Sequence, residues 1–271
     1  MLSVSCLKKQ AKKLLYRDWI THIGAFFTVF VSTSALATAA STIMLLSLEY
    51  TNVFVYSIIF LSLLTLLAAL CIPLYYGLFV FEYNAVNTDK TDIRDIFYAF
   101  STPERYRRSF LTAFAVFWRF LVVFSVPLLI LGELYLYLAG ESQNFMQVAI
   151  GGYDITYTYL CVLLAVAFII SFLFFTRYFT AIYIVIECEE ARVSKCFFAA
   201  KIFNRKCLST LVLVALSYIP LAVISVLTFG ILFIVYTLPV ILITYFCIFS
   251  HVCNNTKLNH IITDFVFDTN K

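Results

Sequence analysis

Charged residues are scarce in this chain. They make up 13% of its 271 residues, whereas hydrophobic residues make up 63% and the mean hydropathy is +0.96. A soluble domain is usually about half apolar and about a quarter charged. Long polar stretches that could form a second, soluble domain are also lacking. The composition therefore predicts an all-α polytopic membrane helix bundle that forms a single integral membrane domain over residues 1–271.

Recognisable enzyme and metal motifs are missing as well. The sequence has no G-x-S-x-G, no phosphate-binding glycine loop and no H-E-x-x-H. Its cysteines and histidines show no C-x-x-C or H-x-x-x-H spacing, and no cysteine lies in a predicted outer loop. We therefore predict no catalytic residue, no metal, no cofactor, no disulfide framework and no nucleic-acid partner. An enzyme that uses a cytoplasmic Cys or His is kept as an alternative.

Long apolar runs, in contrast, are abundant. A transmembrane helix needs about 20 apolar residues, and six runs qualify, at 19–48, 53–81, 110–132, 157–186, 211–227 and 231–250. The last two are separated only by residues 228–230, which predicts a tight helical hairpin with Gly230 in its turn. The sequence therefore predicts six transmembrane helices.

Basic residues set the expected orientation of these helices. All but two of the 19 Lys and Arg residues lie in the segments 8–17, 90–108, 192–206 and 257–271, whereas the intervening loops carry only acidic charges. Because cytoplasmic loops are enriched in Lys and Arg, we predict that both termini are cytoplasmic. A cleaved signal peptide is the alternative for the first run, although Asp18 and the apolar residues beyond Ala37 are unusual for one.

Two of the basic segments have a helical hydrophobic period. In the first, apolar residues at i, i+3, i+4 and i+7 predict one helical face, made of Ile93, Ile96, Phe97 and Phe100. In the second, the stretch "ECEEARVSKCFFAAKIFNRK" (187–206) has an apolar arc that contains Val193, Cys196, Phe197, Ala200 and Phe203. Both are predicted to be amphipathic cytoplasmic connecting helices whose apolar faces contact either the bilayer interface or the bundle.

Bases outside that second arc are candidate contacts for anionic lipid headgroups. They are Arg192, Lys195, Lys201, Arg205 and Lys206.

The two remaining bases lie in apolar runs, where a charge is costly and often functional. Arg119 is about 15 Å into the third run, and Arg177 is at the inner end of the fourth. Both are candidate contacts for an anionic ligand or lipid, and snorkelling toward the cytoplasmic headgroups is the alternative for Arg119. The cores of the runs lack Asp, Glu, Asn and Gln, which disfavours a proton relay. His22, near the inner boundary, is expected to bond to headgroups or water.

The chain resembles an uncharacterised bacterial family of six-span integral membrane proteins. That family is similar to the membrane domain attached to some glycerophosphoryl diester phosphodiesterases. The resemblance is carried by the basic start at 8–19, by "RDIFYAF", by Arg177 leading to "IVIECEEARVSKCFFAAKIFNRK", and by "LTFGILFIVYTLPVILITYF". Ala200 and Asn204 depart from the Ser and Gly frequent in related sequences. The resemblance implies the bacterial cytoplasmic membrane and no activity, and the phosphodiesterase catalytic domain is missing from this sequence.

Three functions are compatible with these patterns. The charge-poor runs and basic connectors favour a non-enzymatic envelope or scaffold component that acts through lipids or an unidentified membrane protein partner. The alternative is a transporter or lipid-handling protein that uses Arg119 and spans kinked by Pro73, Pro127, Pro220 and Pro239. The third is the enzyme mentioned above. The lipid bilayer, with its anionic lipids, is the expected partner in each case.

Overall fold

A computed structural model describes residues 4–50, 53–88, 91–141, 178–228 and 232–255, and over these ranges it contains helices and no strand. The α-helices are α1 (Val4–Arg17), α2 (Trp19–Tyr50), α3 (Val53–Asn87), α4 (Pro103–Glu141), α5 (Tyr178–Glu187), α6 (Val193–Leu227) and α7 (Leu238–Asn255). A 3-10 helix (Ile93–Phe100) links α3 to α4, and a π-helix (Phe233–Thr237) precedes α7. The predicted all-helical class is confirmed for the described residues.

Three helices are long and apolar enough to cross a membrane. They are Trp19–Ser47 in α2, Phe54–Asn87 in α3 and Val235–Val252 around α7. The two parts of α6, Val193–Asn204 and Cys207–Leu221, meet at 84° and would make a fourth span if they are counted as one. Of the other predicted spans, 110–132 lies within α4, whereas 157–177 lies outside the described residues together with the turn residue Gly230. Six spans and the side of the termini stay predictions.

The core lies at one end of α2 and α3. Leu74, Leu78, Phe81 and Ala85 of α3 are buried, and so are Ala25, Phe26 and Val29 of α2. In the other half of α3, side chains such as Phe54, Leu61 and Leu66 are exposed. At about 1.5 Å per residue, the 35 residues of α3 extend well beyond a hydrocarbon core of about 30 Å.

The 3-10 helix packs directly on α3. Its start is capped by Asp92, whose side chain accepts a hydrogen bond from the Arg94 amide, and the Asn84 amide nitrogen donates to Asp95 at 2.8 Å. A Cβ added to Gly77 would lie 1.8 Å from the carbonyl oxygen of Ile96. Only glycine therefore lets the two backbones approach this closely.

The predicted apolar face of this segment differs from the buried one. Ile96 and Ala99 are buried, whereas Ile93, Phe97 and Phe100 are 40–50% exposed. The reason is the helix type, since a 3-10 helix has three residues per turn and aligns positions i and i+3. The α-helical period applied to the sequence therefore grouped Phe97 and Phe100 with Ile96, although they lie outside the buried side of this helix.

α1 is an integral part of the packed end. Leu7, Ala11 and Leu15 recur every four residues, are at most 3% exposed, and belong to the main core. On the same helix, the Lys8 ammonium donates to the carbonyl of Ser217 at 3.0 Å and lies 4.3 Å from the Tyr218 ring centroid. α1 is thereby attached to α6 as well as to α7.

α6 runs antiparallel to the π-helix and α7 that follow it, and two hydroxyl pairs join α6 to them. Tyr218 bonds to Thr244 and Ser225 to Thr237, each at 2.8 Å. The π-helix ends two residues before Pro239, whose missing N–H interrupts regular α-helical bonding. Pro73 and Pro220 lie inside α3 and α6, and the 84° bend of α6 is at residues 205–206 rather than at Pro220.

Candidate functional site

The candidate site is a groove between α4 and the α5–α6 segment, and Arg108 holds its two walls together. Its guanidinium donates to the carbonyl oxygens of Val185 (2.9 Å), Cys188 and Ala191 (2.5 Å). A cation is favourable there because the last carbonyls of a helix carry partial negative charge. Arg108 thus attaches the first turns of α4 to the end of α5.

A second set of contacts crosses the groove near the start of α4. Tyr98 of the 3-10 helix donates to Glu189, and Arg105 of α4 lies 3.4 Å from the same carboxylate. The Arg105 guanidinium also lies over the Tyr98 ring, 4.1 Å from its centroid. Burial and the neighbouring Glu189 raise the pKa of Tyr98, so its hydroxyl remains a donor.

Arg119 lies about three turns beyond Arg108 along α4. Its guanidinium donates to the carbonyl of Ala115, one turn back along α4, at 2.9 Å. The same group lies 4.3 Å from the centroid of the Phe197 ring on α6. The side chain therefore points back along α4 toward the Pro103 end, where it faces α6.

Arg119 borders a cavity of about 510 Å³, a size typical of small-molecule and cofactor sites. Among the described residues that line it are two bases, Arg119 and Lys201, and no acid. Polar groups come from Tyr178, Ser194 and Asn204, and the remaining walls are apolar, made of Ala181, Phe197, Phe198, Ala200 and Leu208. An anionic head with an attached apolar group would match this lining.

A second cavity of about 850 Å³ adjoins the first and shares Arg119, Ser194 and Phe197 with it. Its charged lining residues are of both signs, namely Arg105, Arg107, Arg108, Arg119, Arg192, Glu104, Glu189 and Glu190. Bases outnumber acids in this lining, and Arg105 is paired with Glu189. The smaller cavity has two bases and no acid among its described lining residues, so it has the stronger bias toward an anion.

The structure brings three of the predicted site residues into one groove. Arg119 and Lys201 line the smaller cavity, and Arg119 and Arg192 line the larger one. Lys195, which is on α6 like Lys201, lines neither. Arg177 lies outside the described residues. Arg205 and Lys206 continue the α6 backbone at its bend, and their side chains are likewise outside what the structure describes.

The predicted apolar arc of the 187–206 stretch is covered by protein, whereas Phe198, outside that arc, is 50% exposed. Cys196, Phe197, Ala200 and Phe203 belong to the main core, while Val193 is partly buried against it. Burial raises the pKa of the Cys188 thiol to about 11, with Cys196 and Glu187 adding to the effect. Because the thiolate is the nucleophilic form, Cys188 is poorly suited to nucleophilic chemistry at neutral pH.

Sequence reasoning missed a buried pair of ionisable side chains that lies away from the groove. His22 Nδ1 and Glu82 Oε1 are 3.0 Å apart, and the two side chains are 1% and 0% exposed. The expectation that His22 bonds to headgroups or water is therefore wrong, because its partner is a carboxylate of α3. Glu82 falls within the apolar helix Phe54–Asn87, one residue beyond the predicted end of the second span. Buried ionisable residues separated by 60 positions leave no local sequence signal.

Over the described ranges, no three His, Cys, Asp or Glu side chains gather into a cluster that could hold a metal ion. The groove therefore offers cationic and apolar contacts to a ligand rather than metal ligands. Comparisons with protein-family models, curated proteins and solved structures find no match to this chain. The resemblance to the phosphodiesterase membrane domains accordingly stays a prediction.

Proposed function

We propose that this chain is a non-enzymatic integral membrane protein that binds an anionic lipid headgroup in the groove beside Arg119. In this proposal the protein belongs to the lipid-handling class, and any envelope role depends on that binding. It crosses the bacterial cytoplasmic membrane six times, with both termini cytoplasmic. The three apolar helices and the basic segments described above support the membrane location.

The observation that carries the proposal is the lining of the smaller cavity. Arg119 and Lys201 supply positive charge, and Phe197, Phe198 and Leu208 supply apolar contact. A lipid has both features, because its phosphate is anionic and its chains are apolar. Arginine suits the phosphate particularly well, since its planar fork can donate two parallel hydrogen bonds.

The position of Arg119 supports a headgroup rather than a fully soluble ligand. The residue is inside an apolar run of α4, and its side chain points back toward the Pro103 end. A guanidinium in this position can contact a phosphate at the interface while its aliphatic part stays in the apolar layer. Arg192 and the exposed Lys201 extend the positive surface from there.

Lipid binding can be measured on the full chain in nanodiscs that contain phosphatidylglycerol and phosphatidylcholine. Native mass spectrometry of the released protein would count the retained anionic lipids. Because a base near anionic lipid contributes about 1 kcal/mol, Arg119→Gln and Lys201→Ala should each lower retention about fivefold.

Matched variants make this experiment decisive. Arg119→Lys keeps the charge and should retain more lipid than Arg119→Gln. Lys195→Ala removes a base from the same helix as Lys201 without touching either cavity, so its retention should equal that of the native chain. Equal retention in all four variants would overturn the proposal, and a stoichiometric protein that copurifies instead would favour the scaffold role.

A further inference from the structure

A pair of titratable side chains lies outside the headgroup groove, at the packed end of α2 and α3. We propose that His22 and Glu82 form a buried proton-binding site between these two helices. The site is on different elements from the groove, so it does not depend on headgroup binding.

The enclosure of the pair is nearly complete. His22 is 1% exposed and Glu82 is 0% exposed, and the His22 ring meets the edge of Phe81 at a centroid distance of 5.2 Å. Both residues belong to helices that are long and apolar enough to cross a membrane. Ionisable residues in such helices are costly, and they characteristically mark proton relays and ion pathways.

Each side chain uses one polar atom in the contact and has a second polar atom outside it. Nδ1 of His22 and Oε1 of Glu82 share a hydrogen bond, whereas Nε2 and Oε2 are buried and have no hydrogen-bond partner among the described residues. Buried polar atoms of a purely structural pair are normally satisfied. The two spare atoms are therefore the ones through which a proton can enter or leave.

The proton count follows from this geometry. In the electrically neutral state one proton lies between Nδ1 and Oε1 and a second is on Nε2. Release of the Nε2 proton leaves neutral His22, with its Nδ1–H donating to the Glu82 carboxylate, and a net charge of about −1. Uptake of a proton on Oε2 instead gives about +1. An apolar enclosure favours the neutral state over both others.

Among the described residues, Cys247 of α7 interacts electrostatically with Glu82. Nearby charged and titratable groups on the other packed elements bond to partners outside the pair. On the 3-10 helix, Asp95 accepts from Asn84, and Tyr98 donates to Glu189. On α3, Tyr83 donates to Glu187, and Asp18, just before α2, pairs with Arg17.

Proton release from this site has a structural consequence. It puts an uncompensated negative charge between α2 and α3, where only water entry or separation of the helices can stabilise it. The contact between the two helices thus becomes sensitive to pH. A site of this kind supplies the transporter alternative with the intramembrane carboxylate that the predicted span boundaries had excluded.

Nitrogen-15 NMR of histidine can test the site directly, because the chain has only three histidines. The full chain would be labelled at histidine, reconstituted in nanodiscs and titrated from about pH 5 to about pH 9, the range in which histidine normally changes charge. His251→Gln and His260→Gln would assign the other two signals. We expect Nε2 of His22 to pass reversibly from protonated to bare as the pH rises.

A variant shows whether Glu82 controls this change. In Glu82→Gln the partner can no longer carry charge, so His22 should stay in a single neutral form throughout the titration. Glu187→Gln removes an exposed carboxylate nearby and should leave the His22 titration unchanged. A native chain in which His22 keeps one protonation state at every pH would overturn the proposal, even if Glu82→Gln does not fold. Identical titrations in the native chain and in Glu82→Gln would overturn it too.

Discussion

α3 is one continuous helix, yet its two halves have different surroundings. Between Leu74 and Ala85 most side chains pack against α2, the 3-10 helix and α7, whereas Phe54, Leu61, Leu66 and their neighbours are exposed. Both halves are strongly apolar, so hydrophobicity alone does not distinguish them. The exposed half is suited to contact with lipid, and the packed half forms the protein interior.

Specific polar and close backbone contacts distinguish the packed half. It contains Glu82 with its His22 partner, Gly77 under the 3-10 helix, and Asn84 bonded to Asp95. Such contacts need definite geometry, whereas lipid accommodates any apolar side chain. The two halves should therefore respond very differently to substitution.

The largest effect is expected at the buried pair. Glu82→Ala would leave the His22 ring buried without its partner, and removal of one member of a buried ionic pair typically costs about 3–5 kcal/mol. The free energy of unfolding, measured by titration with a denaturing detergent, should fall by this amount. Leu61→Ala in the exposed half is the control and should change it by about 0.5 kcal/mol or less.

Adjacent residues of the 3-10 helix offer a sharper comparison. Ile96 is completely buried and its neighbour Phe97 is 50% exposed. Ile96→Ala should cost about 2–4 kcal/mol of unfolding free energy because it opens a cavity in the core. Phe97→Ala should cost much less. Equal losses at the two positions would contradict the buried face described here and would favour the α-helical face instead.

Substitutions at two glycines test the close contact between the backbones of α3 and the 3-10 helix. Gly77→Ala would drive its Cβ into the Ile96 carbonyl group, and such overpacking should cost about 1–3 kcal/mol. At Gly24 the nearest atom to an added Cβ is 3.5 Å away, at the end of the Ile93 side chain. Gly24→Ala should therefore be neutral, or stabilising by up to about 1 kcal/mol through its higher helix propensity. Thermal unfolding followed by circular dichroism would compare the two variants.

The smallest predicted effect concerns the reactivity of a thiol rather than the stability of the fold. Because burial raises the pKa of Cys188 to about 11, its thiol should react slowly with a maleimide at neutral pH. The reaction rate should rise about tenfold per pH unit and level off near pH 11. Mass spectrometry of the labelled peptide gives the rate, and a plateau already reached near pH 8 would show that the site is not enclosed.

Local sequence patterns were sufficient for part of this fold. The apolar runs at 19–48 and 53–81 coincide with membrane-length helices, because a span requires continuous apolar sequence wherever it lies. The hydrophobic period of the sequence was insufficient to predict the 3-10 helix, since α-helices and 3-10 helices share most of their residue preferences. The close approach of the Ile96 backbone to Gly77 is likewise visible only in the tertiary structure.

The candidate site was predictable only residue by residue. Arg119 is conspicuous as a charge inside an apolar run, and Lys201 as a base on a connector. Their common cavity lies between segments that Arg108 joins, through carbonyl groups of Val185 and Ala191 that no side-chain pattern reveals. His22 and Glu82 were missed for a related reason, as the helix end was assigned from hydropathy and Glu82 was counted outside the span.

The sequence by itself determined that the chain is helical and has membrane-length apolar segments, because both follow from composition and from the length of continuous runs. Only the tertiary structure decided which apolar residues face protein, where the helices meet and which charges share an enclosure. These depend on contacts between residues far apart in the chain, such as His22 with Glu82 and Arg119 with Phe197. Hydrogen bonds and close packing act over a few ångströms in space, and sequence distance does not enter into them.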